Sequence, residues 1–241
     1  MKIAAVCCTF LRPRQLGHLI RCFLEQDYPA EKRELVILDD AGQYDNQQGD
    51  RWRLVSTDRR FPTLGEKRNA AAALVSGDVE ALAVWDDDDL YLPWALRASV
   101  AALEVAPWSR PSLVLHPQPS PPGLRQHETG GLFHGGWAYA RPAFEQVGGY
   151  PAVNNGEDQA FARRLKQAGV DEADPIQLGM APFYVYSWNA GSGWHLSGMK
   201  GDGYRHLGCL PRVKTRLQIV DPPHVDLDDP KILPGVHARM F

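Results

Sequence analysis

The chain has 241 residues, 44% hydrophobic and 23% charged, with a formal net charge of −3. That length and composition suit a globular protein with one full core, and the near-neutral charge gives no global case for nucleic acid or an acidic membrane. No apolar stretch approaches the ~20 residues of a membrane span. No signal peptide precedes the first apolar run, and the four cysteines (Cys7, Cys8, Cys22, Cys209) lack metal-ligand spacing, so a reducing, cytoplasmic setting is expected.

Residues 3–8 (Ile-Ala-Ala-Val-Cys-Cys) read as a short buried strand. Pro13 suits the first turn of a helix, and Leu16, Leu19, Ile20, Phe23 and Leu24 recur at helical spacing over 13–26. Residues 35–38 form a second apolar strand that runs into Asp39 and Asp40, and a third follows at 53–56. Thr63 and Glu66 make a capping box for a helix to about residue 75. Residues 81–85 are another apolar strand, which opens directly into Asp86, Asp87, Asp88 and Asp89. A helix from Pro93, a strand at 113–115 and a Pro- and Gly-rich surface loop over 117–131 come next. Gly135-Gly136-Trp137 leads into a short apolar run and a short helix from Pro142, and Glu157-Asp158 opens a helix that stops at Gly169. Residues 183–188 read as a last strand, followed by a glycine-rich flexible stretch.

Alternation of strand and helix over the first part of the chain predicts an α/β fold with a mostly parallel sheet. Ligands of such sheets bind outside the carboxyl ends of the strands, where Thr9, Arg12, Asp39, Asp40 and the acidic run all fall. Four adjacent carboxylates repel one another unless a cation stands among them, and a hard divalent ion takes oxygen ligands. A solvated acidic turn is the plain alternative, weakened because the run sits directly on an apolar strand.

Six pieces in order carry a resemblance. They are Thr9-Phe10-Leu11-Arg12-Pro13, Val36-Ile37-Leu38-Asp39-Asp40, Glu66-Lys67-Arg68-Asn69-Ala70-Ala71, Asp86 through Pro93, Gly148-Gly149-Tyr150 and Gly156-Glu157-Asp158. Together they resemble the family 2 glycosyltransferases over residues 1 to about 170. The resemblance implies the GT-A fold, a Rossmann-like, mostly parallel central sheet flanked by helices. It places a glycosyltransferase domain at 1–180, with a nucleotide-binding part at 1–116 and an acceptor-side part at 117–180. Residues 181–241 are then an irregular C-terminal extension packed on the same domain.

The same resemblance implies the site. Asp88 binds Mn²⁺ or Mg²⁺, and Asp86 or Asp87 reaches the ion through water or binds the ribose hydroxyls. His195 is a candidate further metal ligand late in the chain. Asp40 accepts from an N–H of the nucleobase, Thr9 and Arg12 approach the nucleotide, and Lys67 and Arg68 face its phosphates. Asp158, with Glu157 beside it, is the general base for an inverting transfer. Trp137 stacks on a sugar face or, equally, packs in the core, and Asp89 is structural, capping the helix from Pro93. The family often continues its second motif as Gly-Ser-x-Asp; here Ala41-Gly42-Gln43-Tyr44-Asp45 departs from it, and Asp45 has no assigned role.

The expected partners are a nucleotide diphosphate sugar, with UDP as the expected nucleotide, and a hydroxyl acceptor. A glycan or a lipid-linked sugar is the default acceptor. The basic stretch Lys200, Arg205, Arg212, Lys214 and Arg216 raises a modified DNA base as an alternative. A non-catalytic nucleotide-sugar-binding module is the rival reading.

Overall fold

A computed structural model describes residues 1–119, 122–187 and 217–221. The first half of the chain builds a sheet in steps. Strand β1 (Ile3–Thr9) is followed by helix α1 (Pro13–Leu24), β2 (Arg33–Asp39), a two-residue β3 (Gln47–Gln48) and β4 (Trp52–Ser56). Helix α2 (Leu64–Ala73) then leads to β5 (Ala81–Val84). β1 pairs in parallel with β2 and with β5, and β2 pairs in parallel with β4.

The next elements widen this sheet and add a second one. They are β6 (Leu90–Tyr91), α3 (Ala95–Leu103), β7 (Trp108–Ser109), β8 (Leu113–Pro119), β9 (Pro122–Glu128), β10 (Ala138–Ala140), α4 (Arg141–Gln146), α5 (Glu157–Gln167), β11 (Glu172–Ala173) and β12 (Tyr184–Val185). The larger, eight-stranded sheet has the order β11-β7-β10-β5-β1-β2-β4-β3, with β10 and β3 antiparallel to their neighbours. The smaller sheet has the order β6-β12-β8-β9. The expected mostly parallel sheet flanked by helices is therefore what the chain forms.

Period-two alternation along β1 feeds two cores. Ile3, Ala5 and Cys7 join one apolar cluster with Leu16, Leu19, Ile20 and Phe23 of α1, while Ala4 joins the other with Ala72 of α2 and Phe161 and Leu165 of α5. Burying a side chain the size of Leu19 or Phe23 contributes about 1.5–3 kcal/mol each, so α1 is held by its apolar stripe. The capping box forms: Thr63 accepts from the Glu66 N–H, and its hydroxyl donates to the Glu66 carboxylate at 2.7 Å.

One expectation is overturned. Residues 117–131, read as a surface loop from their Pro and Gly content, contain most of a β-hairpin, paired from Leu113↔Glu128 to Pro119↔Pro122. Prolines are tolerated there because β9 is an edge strand and β12 meets β8 only at Leu115. Beyond the expected boundary at 180, β12 pairs with both β6 and β8, so this part of the extension is woven into the second sheet. Among the described residues, no helix is long and apolar enough to cross a membrane.

Candidate functional site

The carboxyl ends of β1, β2 and β5 open on one side of the sheet, and a cleft of about 500 Å³ lies there. Thr9, Arg12, Lys67, Arg68, Asp86, Asp87, Asp88, Glu157 and Asp158 all line it, so residues spread over 150 positions meet in one place. The loop after β1 is tight. Leu11 adopts a left-handed backbone (φ 57°), unusual for a non-glycine residue, just before Arg12 enters α1.

The four carboxylates of the run take different partners. Asp87 accepts from the Thr9 hydroxyl at 2.6 Å and from Arg12 Nη1 at 2.8 Å, and the same nitrogen donates to Asp88 at 2.5 Å. Burial opposes the charge on Arg12, but Asp87 and Asp88 outweigh it and hold its pKa above the ordinary value. Asp86 accepts from both terminal nitrogens of Arg68 at 3.3 Å. Asp89 is buried and accepts from the Tyr184 hydroxyl at 2.5 Å and the Ser187 N–H at 2.9 Å. It therefore ties the strand end to β12 instead of capping the next helix, whose N-cap is Trp94 without a side-chain cap. The loop is braced below by Tyr91, whose ring stacks on Trp85 at 4.1 Å and whose hydroxyl accepts the Asp86 N–H and donates to the Gly135 carbonyl.

Arg68 joins the two ends of the cleft. Its Nε donates to Glu157 at 3.3 Å while its terminal nitrogens hold Asp86. Burial disfavours the guanidinium charge, yet Asp86 and Glu157 together keep its pKa raised. Burial likewise pushes the Glu157 carboxyl above its ordinary value, against the pull of Arg68 and with a further push from Asp158. Asp158 stands at the N-terminus of α5, after Gly156 in a left-handed turn (φ 69°), a position where the helix dipole favours a carboxylate. Its carboxylate accepts from the Gln159 N–H at 2.7 Å and from the Gln159 side-chain amide at 3.3 Å.

Asp40 is set differently from the expectation. Its carboxylate is fully buried, accepting from Lys67 Nζ at 2.5 Å, Arg60 Nη1 at 2.6 Å and the Phe61 N–H at 3.2 Å. It lies beneath the cleft floor, and Arg60, stacked 3.6 Å over the Phe10 ring, presents the surface above it. Lys67 is only 2% exposed and also donates to the Thr9 carbonyl, so it ties β1 to α2.

Trp137 does not reach the cleft. It is fully buried, crosses Trp108 edge-on at 5.2 Å and donates its indole N–H to the Gly131 carbonyl at 2.8 Å, so of its two expected roles the structure supports core packing. His195 and the basic stretch from Lys200 to Arg216 lie outside the described residues.

Several cleft residues carried no signal in the sequence. Phe133, His134, Tyr184 and Tyr186 line one wall, brought in by the second sheet and by the turn before β10. Arg60 could have been found by the strand-end rule, since it follows β4. His134 is buried and kept neutral, its pKa well below the ordinary value through burial and the nearby Arg68.

Among the described residues no cluster of three His, Cys, Asp or Glu side chains could hold a divalent ion alone. Asp86 and Asp88 nonetheless both line the cleft with carboxylate oxygens, and an ion of the Mg²⁺ type is commonly held by one or two carboxylates with phosphate oxygens completing its shell. The residues present fit an ion of that kind.

No protein-family model matches the chain, and no curated protein matches it. Solved structures do. The structure of S. aureus TarS 1-349 in complex with UDP-GlcNAc superposes with a TM-score of 0.60 at 14% identity, covering 80% of this chain and 60% of that one. The mannosyltransferase PcManGT from Pyrobaculum calidifontis, in complex with GDP-Man and Mn²⁺, superposes with a TM-score of 0.59 at 18% identity, covering 81% and 59%. This chain thus spans about 60% of the length of the structures it matches. At such identities the likeness is one of fold.

Proposed function

We propose that the chain is a metal-dependent family 2 glycosyltransferase that moves a sugar from a nucleotide diphosphate donor, UDP-linked, to a hydroxyl acceptor. The observation that carries the reading is the shared cleft: the acidic run at the end of β5 and the Glu157-Asp158 pair face the same space, joined through Arg68. The neighbours of like fold were solved with UDP-GlcNAc and with GDP-Man and Mn²⁺, which agrees with a nucleotide-sugar cleft.

Each role follows from chemistry at a named group. Asp86 and Asp88 would hold the divalent ion, which supplies charge stabilisation for the departing diphosphate. Arg12 and Arg60 are the cations nearest the donor half, and a guanidinium matches phosphate oxygens well. Asp40 sets the floor under the nucleobase by fixing Arg60 and Lys67. Asp158 takes the acceptor hydroxyl proton as the acceptor oxygen attacks the anomeric carbon. The bond from that carbon to the diphosphate oxygen breaks, giving an inverted product and a nucleoside diphosphate. Glu157 serves this step by holding Arg68, and residues 1–116 and 117–180 supply the donor and acceptor sides respectively.

The test is direct. Incubated with Mn²⁺, a panel of nucleotide sugars and candidate acceptors, the protein releases nucleoside diphosphate from one donor. Asp158→Asn lowers that transfer about 10²–10⁴-fold while UDP binding survives. No release from any donor, or full activity in Asp158→Asn, refutes the reading.

A further inference from the structure

We infer that Tyr150 and Asn69 are positioning residues for Arg68: the Tyr150 ring, and the pairing of its main chain with Asn69, hold the guanidinium where it reaches Asp86 and Glu157 together. The bearing of this on transfer rests on the transferase reading; the placement of Arg68 does not. Asn69 and Tyr150 stand 81 positions apart, in two motifs whose other residues have no chemistry of their own in the cleft.

Arg68 needs support beyond its two partners. Burial opposes its charge, and its bonds to Asp86 and Glu157 are long, at 3.3 Å each. Bonds of that length orient a donor weakly, and fixing a long side chain costs rotamer freedom. The Tyr150 ring supplies the missing constraint. The guanidinium carbon lies 5.9 Å from the ring centre, within reach of a cation–ring attraction, which is stronger where water is kept away.

That ring is held firmly. Tyr150 is buried, with its ring 4.4 Å from Phe161 of α5 and 5.9 Å from Phe144 of α4. Its hydroxyl meets His134 Nε2 at 2.8 Å and the Tyr139 hydroxyl at 2.9 Å. Its main chain is paired with the residue next to Arg68. The Asn69 side-chain amide donates to the Tyr150 carbonyl at 2.9 Å and accepts the Tyr150 N–H at 2.8 Å. One amide thus satisfies both backbone groups of Tyr150, as a neighbouring strand would. Gly149 makes the approach possible: its φ is 67°, and a Cβ there would stand 2.5 Å from Asn69 Oδ1 and 2.9 Å from Phe144 Cζ.

The consequence lies in reach. Arg68 comes from α2, Asp86 follows β5 and Glu157 opens α5. A guanidinium free to choose would close on one carboxylate; backed by Tyr150, it spans both. Supports of this kind, locked by their own packing and hydrogen bonds, are what keep a site in register. A brace for the fold alone would also tie α2 to the turn before α5, but it would not make the state of Arg68 depend on the Tyr150 ring.

NMR on the isotope-labelled full chain reads that dependence. The Arg68 Nε–H, bonded to Glu157, gives a side-chain signal protected from exchange with water, assigned by its loss in Arg68→Lys. Tyr150→Leu and Asn69→Ala each speed its exchange about tenfold, the scale of losing a desolvated cation–ring contact. Tyr150→Phe keeps the protection although it gives up the bonds to His134 and Tyr139. Thermal melts are run on every variant, and where Tyr150→Leu fails to fold, Asn69→Ala decides. No protected signal in the parent, exchange unchanged in the folded variants, or exchange that simply follows the melting temperature overturns the inference. In the transfer assay, Tyr150→Leu added to Arg68→Gln lowers the rate no further than Arg68→Gln alone, and losses that add overturn it too. Absence of nucleoside diphosphate release from the parent defeats the transferase reading, while the Arg68 signal, which needs no substrate, still decides the placement.

Discussion

Removing Arg12 should expose how the acidic run is held together. The Arg12 side chain is 12% exposed and its partners Asp87 and Asp88 are 4% and 8% exposed, so both ion pairs are nearly out of water. Breaking a buried pair by deleting one partner costs about 3–5 kcal/mol, because the remaining charge stays desolvated. Here a single nitrogen serves two carboxylates, and Arg12 Nε is buried without a partner among the described residues, so the lower end, about 3 kcal/mol, is the better expectation. At about 2–4 °C per kcal/mol for a chain of this size, Arg12→Met should melt about 6–12 °C below the parent. A divalent ion should then do part of the work of the guanidinium. At a hundredfold excess over its Kd it returns about 2.7 kcal/mol, so MnCl₂ should raise the melting point of Arg12→Met by several degrees more than that of the parent, where Arg12 competes for Asp88. Differential scanning fluorimetry with and without MnCl₂ measures both shifts. A variant that melts with the parent, or an equal Mn²⁺ shift in both proteins, refutes the reasoning.

Three further outcomes follow from the same geometry. Glu157 holds its proton to a higher pH when folded than the ordinary 4.5; the folded state then binds more protons than the unfolded one above that pH, and stability falls as pH rises toward the raised value. Glu157→Gln should flatten that slope, and parallel urea midpoints for the two proteins across a pH series would contradict it. Lys67→Met removes one of two cations from the buried Asp40 carboxylate, leaving Arg60 and the Phe61 N–H, and should cost about 3 kcal/mol, the lower end for a broken buried pair, whereas Lys67→Met with Asp40→Asn should cost less than the sum of the single changes by about 0.5–3 kcal/mol; additive urea denaturation values would sink the pairing. Trp137→Phe removes one hydrogen bond in the core and should lower stability by about 1–2 kcal/mol with UDP affinity unchanged, so a fall in UDP affinity from calorimetry would return Trp137 to the site.

The parallel half of the fold was legible because its signals are local. Runs such as 35–38 and 81–84 are apolar and short, and the stripe Leu16, Leu19, Ile20 and Phe23 has helical spacing, so each element announces itself and the alternation implies the sheet. The hairpin of β8 and β9 was hidden because composition and context pull apart: prolines and glycines argue for a loop, and only the edge position of β9 and the single β12 contact of β8 at Leu115 make them acceptable in strands. Trp137 was ambiguous for a related reason. Two glycines before a tryptophan look alike whether the turn opens a site or lets a ring into the core, and the difference lies in Trp108, which sequence distance conceals, and in a hydrogen bond to the Gly131 carbonyl that no residue type announces.

For the site, the strand-end rule pointed to acids that the structure brings to one cleft, but acids next to one another in sequence do not share one fate. Asp87 and Asp88 go to Arg12 from the loop after β1, Asp86 goes to Arg68 from α2, and Asp89 goes to Tyr184 and Ser187 beyond β12. Four partners from three separate parts of the chain hold one loop, and that fixes its shape without requiring any one residue to be special. Arg68 shows what this achieves. Its position in α2, 18 residues before Asp86 and 89 before Glu157, lets one guanidinium touch both ends of the cleft at once. A charge change at Asp86, whether by mutation or by a bound cation, must therefore be felt at Glu157, and through the first turn of α5 at its neighbour Asp158. The Asp86 and Glu157 ends of the cleft are coupled by a shared counterion, a relation carried by the crossover of α2 onto the sheet and by nothing local to either motif.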